Sequence, residues 1–286
     1  MPELPEAEVV ARQVRAHLLG AQLNECWVGR ADIVREGLNT LLWYHGSVLE
    51  GVERYGKSVA LGFRKEGEHR YVVAELGMTG LLLFRATETK HPQHVHVRML
   101  FTGSRESELR YWNPRRFGRL SLLDRAGLDR YRTRRFGVDP LTVMRDEFIS
   151  LMEARRGRLK PLLMHQQVIA GIGNIYANEI LFRVRLHPNR EVNRLRRATI
   201  IKLFDAMQAV LCKAISCGGS SVKDFFAPDG TEGRYKQHHL VYGKEGQLCP
   251  NRCGRVIRRL QSERSSFYCP ACQVSKTPRR YPASAH

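Results

Sequence analysis

The chain has 286 residues, of which 43% are hydrophobic, and its 47 lysines and arginines outnumber 28 acidic residues to give a net charge of +19. No apolar run approaches the roughly 18 residues that a membrane span needs, and the acidic, proline-bearing start does not resemble a signal peptide. We therefore expect a cytoplasmic protein, nucleoid-associated if bacterial, that acts as a monomer. The length leaves room for two compact domains and a small appendage.

The excess positive charge is concentrated in the second half of the chain. Residues 151–286 carry 24 basic and 9 acidic side chains, whereas residues 1–150 carry 23 and 19. This distribution favours a polyanionic partner, and nucleic acid before a membrane, because no basic amphipathic helix has a bulky apolar face. The alternative is a merely solubilising surface, although mixed charges would serve that purpose at a lower net charge.

The first eight residues, MPELPEAE, predict a nucleophile at the N-terminus. Proline is small enough for the initiator methionine to be removed, which would leave Pro2 with a free secondary amine. An α-amino group titrates at about pH 8, so part of it is uncharged at neutral pH and can form a Schiff base. Glu3 and Glu6 are near enough to act as acid and base. The simpler alternative is a helix start, with Pro5 in the first turn and acids at its positive end.

The following segments predict one helix and then a β-rich region. Apolar residues recur at helical spacing from Val9 to Leu19, and Gly20 ends the pattern. Residues 21–124 then predict an all-β sandwich or barrel of about six to eight strands, with the first helix packed on it. The predicted strands are 48–52, 58–63, 71–76, 80–84, 94–101 and 109–112.

Two turns in this β region have unusual sequences. One places Met78 between glycines, and the other places Arg115 and Phe117 in the run NPRRFG. Such side chains at turn tips can enter a base stack after a nucleotide has been extruded, although folding back over the core is an alternative. Lys57 lies just before a strand, where a solvated lysine is the common case.

Residues 134–227 change to a helical pattern. Helices are predicted around 145–155, 159–165, 174–184, 198–214 and 221–226. The turn Gly171-Ile172-Gly173 precedes Asn174, which we expect to be the N-cap of the next helix. Its backbone N–H groups could approach a phosphate, although this arrangement is also common as plain architecture. From residue 227 to 246 we expect a mobile loop that leads into a strand at 239–242.

Four of the seven cysteines are clustered near the C-terminus. Cys249 and Cys253 form one short-spaced pair, and Cys269 and Cys272 form the other. Two such pairs in a cytoplasmic protein predict a structural zinc ion, whereas disulfides would need an oxidising compartment. The intervening hairpin is rich in arginine, and residues 275–286 are predicted to be a disordered tail. The remaining cysteines, Cys26, Cys212 and Cys217, are expected to be buried.

Together these motifs resemble the formamidopyrimidine-DNA glycosylase/endonuclease VIII family of base-excision repair enzymes. The resemblance covers residues 2–273 and depends on six motifs in the family's order. They are PELPE at 2–6, LGM at 76–78, PRRFG at 114–118, GIGNIYA at 171–177, GGSS at 218–221 and the cysteine hairpin.

The resemblance implies an α+β multidomain fold with DNA bound between its halves. It comprises an N-terminal β-sandwich with a packed helix (1–133), a helix-two-turn-helix domain with the lesion loop (134–239) and a four-cysteine zinc-finger β-hairpin (240–274). Pro2 would attack C1′ of the damaged nucleotide, with Glu3 as proton donor and Glu6 in support. Lys57 would assist β-elimination and Arg264 δ-elimination.

The resemblance also implies contacts with DNA. Met78, Arg115 and Phe117 would fill the space left by the flipped base. The phosphate contacts would come from His94, Arg155, Lys160, Asn174 and Arg264.

Three positions depart from the family pattern. Glu75 stands where a phosphate-contacting histidine is usual. A negatively charged side chain would therefore face the DNA backbone at this position. Cys249 and Cys253 enclose three residues where two are typical, and Ser58 replaces a common aromatic residue after Lys57.

The motifs are most similar to the branch of the family that excises oxidised purines, formamidopyrimidines and 8-oxoguanine. The LPE start, the PRRFG turn and the long loop at 227–236 indicate this branch. The endonuclease VIII branch, which excises oxidised pyrimidines, is the alternative. A zinc-ribbon protein that binds lesion DNA without lyase chemistry is a second alternative, although it leaves Pro2, Glu3, Lys57 and Arg264 unexplained.

Overall fold

The computed structural model describes residues 2–89, 91–221, 225–261 and 264–274. The chain forms two compact units. The first contains Met1–Thr142, His165–Ile172 and Leu211–His238, and the second contains Val143–Met164, Gly173–Val210 and His239–His286. Within the described ranges, no helix combines the length and apolar character needed to cross a bilayer.

The first unit begins with helix α1 (Leu4–Leu18), which forms because Pro5 suits the first turn and Glu3 and Glu6 form a capping box. Its apolar face packs on the sheet core. A second helix, α2 (Arg125–Arg135), follows the strands. The strands are β1 (Gln22–Val28), β2 (Val34–Glu36), β3 (Ser47–Tyr55), β4 (Ser58–Lys65), β5 (Glu68–Glu75), β6 (Leu81–Phe84), β7 (Val95–Thr102), β8 (Glu108–Trp112) and β9 (Leu120–Asp124).

The nine strands are hydrogen-bonded in the order β2-β9-β5-β4-β3-β1-β7-β8-β6. Side chains from both ends of this order, such as Leu82 on β6 and Leu120 on β9, belong to one buried cluster. The sheet is therefore folded over on itself with α1 against it, as in a β-sandwich. This confirms the predicted fold class of the N-terminal part.

All six predicted strands are present, but β1, β2, β9 and α2 were not predicted. Strand β1 buries only Leu23 and Cys26, and its apolar residues do not alternate with polar ones. Helix α2 has five arginines among its 11 residues and buries only Gly127, Leu128 and Tyr131. Neither segment shows a strong hydrophobic period, so packing against the sheet decides their conformation.

The second unit contains α3 (Arg145–Glu153), α4 (Leu159–Leu163), α5 (Asn174–Arg183) and the hairpin of β10 (Arg258–Leu260) and β11 (Ser266–Tyr268). Helix α6 (Arg197–Ser216) has residues in both units. Four of the predicted helices are thus present. Of the fifth, predicted at 221–226, residues 222–224 lie outside the described residues, and 221, 225 and 226 are not helical. The predicted tail at 275–286 also lies outside them.

Two local predictions were wrong. Residues 239–242 are not a strand, because the N–H groups of Leu240, Val241 and Tyr242 donate to the Glu179 carboxylate and are unavailable for a ladder. Asn174 is not an N-cap: Gly173 has that position, and Asn174 is the first residue of α5. After Ala227 the chain makes a turn held to β6, with the Phe84 N–H donating to the Pro228 carbonyl at 2.8 Å.

Candidate active site and DNA-contact residues

The start of α1 is held by three buried hydrogen bonds within the first unit. The Leu4 N–H donates to the Gly171 carbonyl at 3.0 Å. The Glu6 carboxylate accepts the Glu3 N–H at 2.8 Å and, through its other oxygen, the Ser220 N–H at 2.7 Å. Pro2 is buried, and both glutamates are only 1% exposed. The predicted nucleophile and its two carboxylates therefore lie together in a fixed, desolvated position.

Two glycines permit this close approach. Gly171 has φ +89°, and a Cβ there would lie 2.7 Å from the Leu4 Cβ. Gly219 has φ +82°, and a Cβ there would lie 2.9 Å from the Glu6 Oε1. The glycine turn at 171 thus packs against the N-terminal residues, and its role as a phosphate cradle stays a prediction.

Lys57 belongs to the same neighbourhood. A Cβ at Gly171 would be only 3.1 Å from the carbonyl oxygen of Gly56, the residue before Lys57. The chain there is fixed by the buried Arg54, whose guanidinium donates to Glu8 at 2.8 Å and to Asp139 at 2.5 Å. The structure therefore brings Lys57 towards the start of α1, and this lysine is half-buried.

The predicted insertion residues occupy two adjoining turns, 76–80 and 113–118, called here the insertion turns. Met78 is 40% exposed and Phe117 57% exposed, so neither folds back over the core. A Cβ at Gly77 would lie 2.5 Å from the Gly118 nitrogen, which shows how closely the two turns pack. The Arg115 guanidinium stacks on the Phe117 ring at 4.8 Å. One exposed apolar and cationic surface results.

Asn113, which the sequence analysis did not single out, organises the insertion turns. It is fully buried, and its amide donates to the Tyr111 hydroxyl at 3.0 Å and to the Gly118 carbonyl at 3.3 Å. Its own N–H donates to the His94 carbonyl at 2.9 Å. His94, a predicted phosphate contact, is thereby placed beside these turns and is half-buried.

Glu75, at the end of β5, is paired with arginines rather than directed into solvent. Its carboxylate lies 3.0 Å from Arg35 and 2.8 Å from Arg135. Ser58, the other unusual residue of this domain, is the register partner of Glu75 and bonds to the Tyr131 hydroxyl at 2.9 Å. The two departures from the family pattern are therefore neighbours.

In the second unit, Lys160 reaches the segment that carries Arg264. It is 3% exposed, and its ammonium donates to the Ser265 carbonyl and the Ser266 hydroxyl, both at 2.9 Å, and to the Arg264 carbonyl at 3.4 Å. Arg264 itself is exposed. Lys160 thus positions Arg264, and a direct phosphate contact by Lys160 stays a prediction.

The other predicted phosphate contacts of this unit differ in exposure. Arg155 is exposed just after α3, and Asn174 is half-buried at the start of α5. The Asn178 amide donates to the Asn174 carbonyl at 2.6 Å, and its oxygen accepts the Phe267 N–H at 2.8 Å. Asn178 therefore links α5 to β11.

Glu179 is a fully buried carboxylate that sequence reasoning also missed. Burial raises its pKa, while hydrogen bonds from the Tyr242, Val241 and Leu240 N–H groups oppose that rise. Val241 packs in one small core with Cys249 and Cys269. Glu179 thus connects α5 to the cysteine module. Neither Asn178 nor Glu179 had a signal beyond a polar residue on an otherwise apolar helix.

The four clustered cysteines are positioned to bind a metal ion. Their sulfur atoms all lie within 4.8 Å of one another, with 3.8 Å between Cys249 and Cys272 and 3.4 Å between Cys253 and Cys269. Tetrahedral zinc with Zn–S bonds of about 2.3 Å needs sulfur separations of about 3.8 Å. The extra residue of the first pair lies in a turn where Arg252 takes φ +54°. The residues present fit a four-thiolate site.

The other cysteines were only partly predicted. Cys26 is buried, and burial raises its pKa to about 12. Cys212 is exposed and Cys217 half-buried, contrary to expectation, because helical spacing places Cys212 on the outer face of α6.

Two family models match the chain. The formamidopyrimidine-DNA glycosylase N-terminal domain matches residues 1–120, and the formamidopyrimidine-DNA glycosylase H2TH domain matches residues 136–226. Formamidopyrimidine-DNA glycosylases from Xanthomonas campestris pv. campestris and Solibacter usitatus are 35% and 34% identical to it. Each alignment covers 96% of this chain, with 100% of the first relative and 99% of the second. The chain belongs to the formamidopyrimidine-DNA glycosylase family.

Solved structures agree with this assignment. The MutM (Fpg) protein of Thermus thermophilus has a TM-score of 0.83 and 34% identity, covering 96% of this chain and 100% of that one. The Lactococcus lactis Fpg in complex with abasic-site DNA has a TM-score of 0.83 and 28% identity, covering 95% and 99%. As a formamidopyrimidine-DNA glycosylase, this protein is an enzyme of base-excision repair, and the predicted family is confirmed.

Proposed function

We propose that this glycosylase is bifunctional and removes oxidised purines from double-stranded DNA through a Schiff base on Pro2, then cleaves the strand by β,δ-elimination. The observation that supports this most directly is the fixed start of α1, where Glu3 and Glu6 are both 1% exposed beside the terminal proline. The capping box of α1 accounts for the two carboxylates as helix-capping groups, and it is their burial directly beside Pro2 that supports a chemical role for them.

The first step needs a free Pro2 nitrogen, so the initiator methionine must be removed. The nitrogen lone pair attacks C1′ as the bond from C1′ to the base breaks, and Glu3 donates the proton that the departing base or the opening sugar takes up. Loss of the proline N–H proton leaves a neutral amine on C1′. When the C1′–O4′ bond then breaks, with O4′ taking a proton from Glu3, the nitrogen lone pair forms the iminium at C1′. Glu6 keeps the Glu3 backbone in place through its bond to the Glu3 N–H.

The second stage cleaves the DNA strand. The iminium acidifies the C2′ hydrogen, and removal of that proton expels the 3′ phosphate in β-elimination, which Lys57 assists. A second elimination, assisted by Arg264, expels the 5′ phosphate. Water then hydrolyses the Schiff base and restores the Pro2 amine.

We propose that Met78, Arg115 and Phe117 enter the space left by the flipped nucleotide. His94, Arg155, Lys160, Asn174 and Arg264 would hold phosphates. The exposure of the insertion turns supports the first assignment, because burying a bare apolar patch against bases recovers hydrophobic energy. The net charge of +19 supports the second.

Oxidised pyrimidines are the second candidate substrate. The Lactococcus lactis Fpg has been crystallised with DNA that contains an oxidised pyrimidine, so this lesion class is not foreign to the family. Both classes therefore belong in one assay.

Borohydride trapping on duplexes with 8-oxoguanine, an oxidised pyrimidine or an abasic site tests the proposal. We expect a cross-link that mass spectrometry places on Pro2, most efficiently with 8-oxoguanine. Pro2→Gly and Glu3→Gln should lose glycosylase activity, and Glu147→Gln, at an exposed position on α3, is the matched control. A wild-type chain that binds lesion DNA but yields no cross-link with any duplex would support the binding-only alternative.

We further propose that the four cysteines hold one structural zinc ion, which would fix the hairpin that carries Arg264. Elemental analysis should give one zinc per chain. Cys253→Ser should lower the zinc content and DNA binding, whereas Cys212→Ser, an exposed cysteine outside the cluster, should leave both unchanged. Full zinc content in Cys253→Ser would contradict the assignment.

The predicted domain boundaries, 1–133, 134–239 and 240–274, are retained as part of this proposal. So is action as a monomer in the cytoplasm, at the nucleoid if the source is bacterial. Limited proteolysis and sedimentation of the purified chain test the boundaries and the monomeric state.

A further inference from the structure

Glu75 and two arginines form a charged cluster beside the insertion turns. The Glu75 carboxylate is 3.0 Å from the Arg35 Nη2 and 2.8 Å from the Arg135 Nη1. The exposed fractions of the side chains are 15% for Glu75, 44% for Arg35 and 36% for Arg135. The exposed groups of the cluster are therefore mainly the two guanidinium groups rather than the carboxylate. With two arginines and one glutamate, the cluster has a net positive charge.

The position of Glu75 is fixed from several directions. Its N–H donates to the Arg119 carbonyl at 2.9 Å, and its carbonyl accepts the Tyr111 hydroxyl at 2.7 Å. It pairs in register with Ser58, which is bonded to the Tyr131 hydroxyl at 2.9 Å. Burial and the neighbouring Glu75 carboxylate both raise the pKa of Tyr131, so this hydroxyl stays neutral at physiological pH. The backbone from which the Glu75 side chain projects is therefore fixed, so its two ion pairs start from a defined point.

The arginines retain donors for another anion. A guanidinium has five N–H donors, and each ion pair to Glu75 involves one arginine nitrogen at close range. The Arg135 guanidinium also stacks on the Tyr131 ring at 4.7 Å, which restricts its rotation. Pre-oriented guanidinium groups bind phosphate oxygens with a smaller loss of side-chain entropy.

The cluster adjoins the surface proposed to enter the DNA. A Cβ at Gly118 would lie 2.1 Å from the Glu75 carbonyl oxygen, and Gly118 directly follows Phe117. A strand whose bases meet Phe117 would bring a phosphodiester within reach of groups beside it, because phosphates recur every few ångströms along the backbone.

We propose that Arg35 and Arg135 form a two-arginine clamp for a DNA phosphodiester and that Glu75 is the positioning residue that orients both. The inference rests on the proposed function, since it assumes that the insertion turns meet DNA. The clamp would replace a single histidine contact with two charge-assisted ones. Glu75 would then contribute to DNA binding through the arginines, despite its own negative charge.

The Glu75→Gln variant distinguishes this proposal from a simple electrostatic effect, because the two predict opposite changes in DNA affinity. Removal of one negative charge should strengthen DNA binding if Glu75 only neutralises the arginines. Loss of both ion pairs should weaken it if Glu75 orients them. We expect Glu75→Gln to bind a duplex with an uncleavable abasic-site analogue about threefold more weakly, and Arg35→Ala/Arg135→Ala about tenfold more weakly, with the salt slope reduced by about one unit per arginine.

A triple variant completes the test. In Arg35→Ala/Arg135→Ala, the added Glu75→Gln change should have no weakening effect, because its target is gone. The matched controls are Arg64→Ala and Glu50→Gln, which break an exposed ion pair at the far end of β4. Circular dichroism and urea unfolding identify any variant that fails to fold, and Arg35→Lys then replaces Arg35→Ala.

The outcomes are distinguishable. Equal or tighter binding by Glu75→Gln, or an unchanged salt slope in the double-arginine variant, would overturn the clamp while trapping on Pro2 still supports the glycosylase mechanism. A wild-type chain that binds no duplex would overturn both proposals. Weaker binding by Glu75→Gln, together with no added effect in the triple variant, would establish the clamp.

Discussion

The Glu6 carboxylate accepts the N–H of Ser220 at 2.7 Å, across 214 positions of the sequence. Its other oxygen accepts the Glu3 N–H at 2.8 Å. One buried side chain thus ties the terminal residues of the chain to the GGSS motif. Gly219 is needed at this point because its φ of +82° and its missing Cβ let the backbone approach the carboxylate.

Gly219→Ala should therefore destabilise the protein and slow Schiff-base formation. A left-handed φ costs a non-glycine residue about 1–3 kcal/mol, and the new Cβ would also meet Glu6 at 2.9 Å. Urea unfolding and the rate of borohydride trapping measure the two effects. Gly20→Ala is the control, since φ there is +83° but a Cβ would meet nothing within 4 Å. Equal losses in both variants would mean that the contact with Glu6 is unimportant.

Glu8 should make stability depend on pH. Burial alone would raise its pKa, but hydrogen bonds and charge from Arg12 and Arg54 hold it below the usual value of 4.5. A carboxyl with a depressed folded-state pKa stabilises the fold above its unfolded pKa, and this contribution is lost as the pH falls through the folded pKa.

Glu8→Gln should consequently lower the free energy of unfolding at pH 7 by about 1–2 kcal/mol, allowing for partial solvent screening. The difference from wild type should shrink as the pH falls below about 4.5, where the carboxyl of the unfolded chain takes up a proton, and should vanish below the folded-state pKa. Urea titrations across this range give the comparison, with the exposed Glu36→Gln as control. A difference that does not vary with pH would contradict the role of the ion pairs.

Phe117→Ala should impair excision from duplex DNA much more than chemistry at an abasic site already exposed in a single strand. The ring is 57% exposed and stacked under Arg115 at 4.8 Å, ready to occupy a vacated base position. Loss of one stacking contact is worth about 1–3 kcal/mol, or roughly five- to 150-fold in rate. Single-turnover kinetics on both substrates give the ratio of the wild-type rate to the Phe117→Ala rate for each. Leu42→Ala, at a residue 76% exposed elsewhere, should change neither rate.

Lys160→Met should alter the product of strand cleavage. The Lys160 ammonium holds the carbonyl of Ser265 and the hydroxyl of Ser266 at 2.9 Å, next to Arg264. Without it we expect Arg264 to lose its position, so that β-elimination product accumulates at the expense of the δ product, as in Arg264→Ala. Gel electrophoresis of the cleaved 8-oxoguanine duplex separates the β-elimination product from the δ-elimination product. Lys202→Met, on the exposed side of α6, should behave like wild type, and an unchanged product ratio in Lys160→Met would exclude the positioning role.

Much of the site could be predicted from the sequence because its chemistry depends on local spacing. Two short-spaced cysteine pairs indicate a four-thiolate metal site in almost any fold, and the structure brings their sulfur atoms together. A proline after the initiator methionine followed by glutamates fits an ordinary helix start equally well, and the resemblance to the family is what favours an amine nucleophile there. The turns of Met78 and Phe117 do not by themselves decide between exposure and folding back over the core; the resemblance to the family favours exposure, and both side chains are exposed in the structure.

Tertiary structure decided the features that depend on partners far away in the chain. Residues 239–242 look like a strand, but Glu179 on α5 takes their N–H groups and prevents a ladder. Asn113 looks like an ordinary turn residue, but it is buried, and its side-chain oxygen accepts the Thr79 hydroxyl at 3.2 Å, which joins the two insertion turns. Glu75 suggests an anion facing DNA when only its position is known, whereas Arg35 and Arg135 reverse the sign of that surface. The physical reason is the same in each case: the role of a buried polar group depends on the partner that satisfies it, and no local periodicity records which distant residue that is.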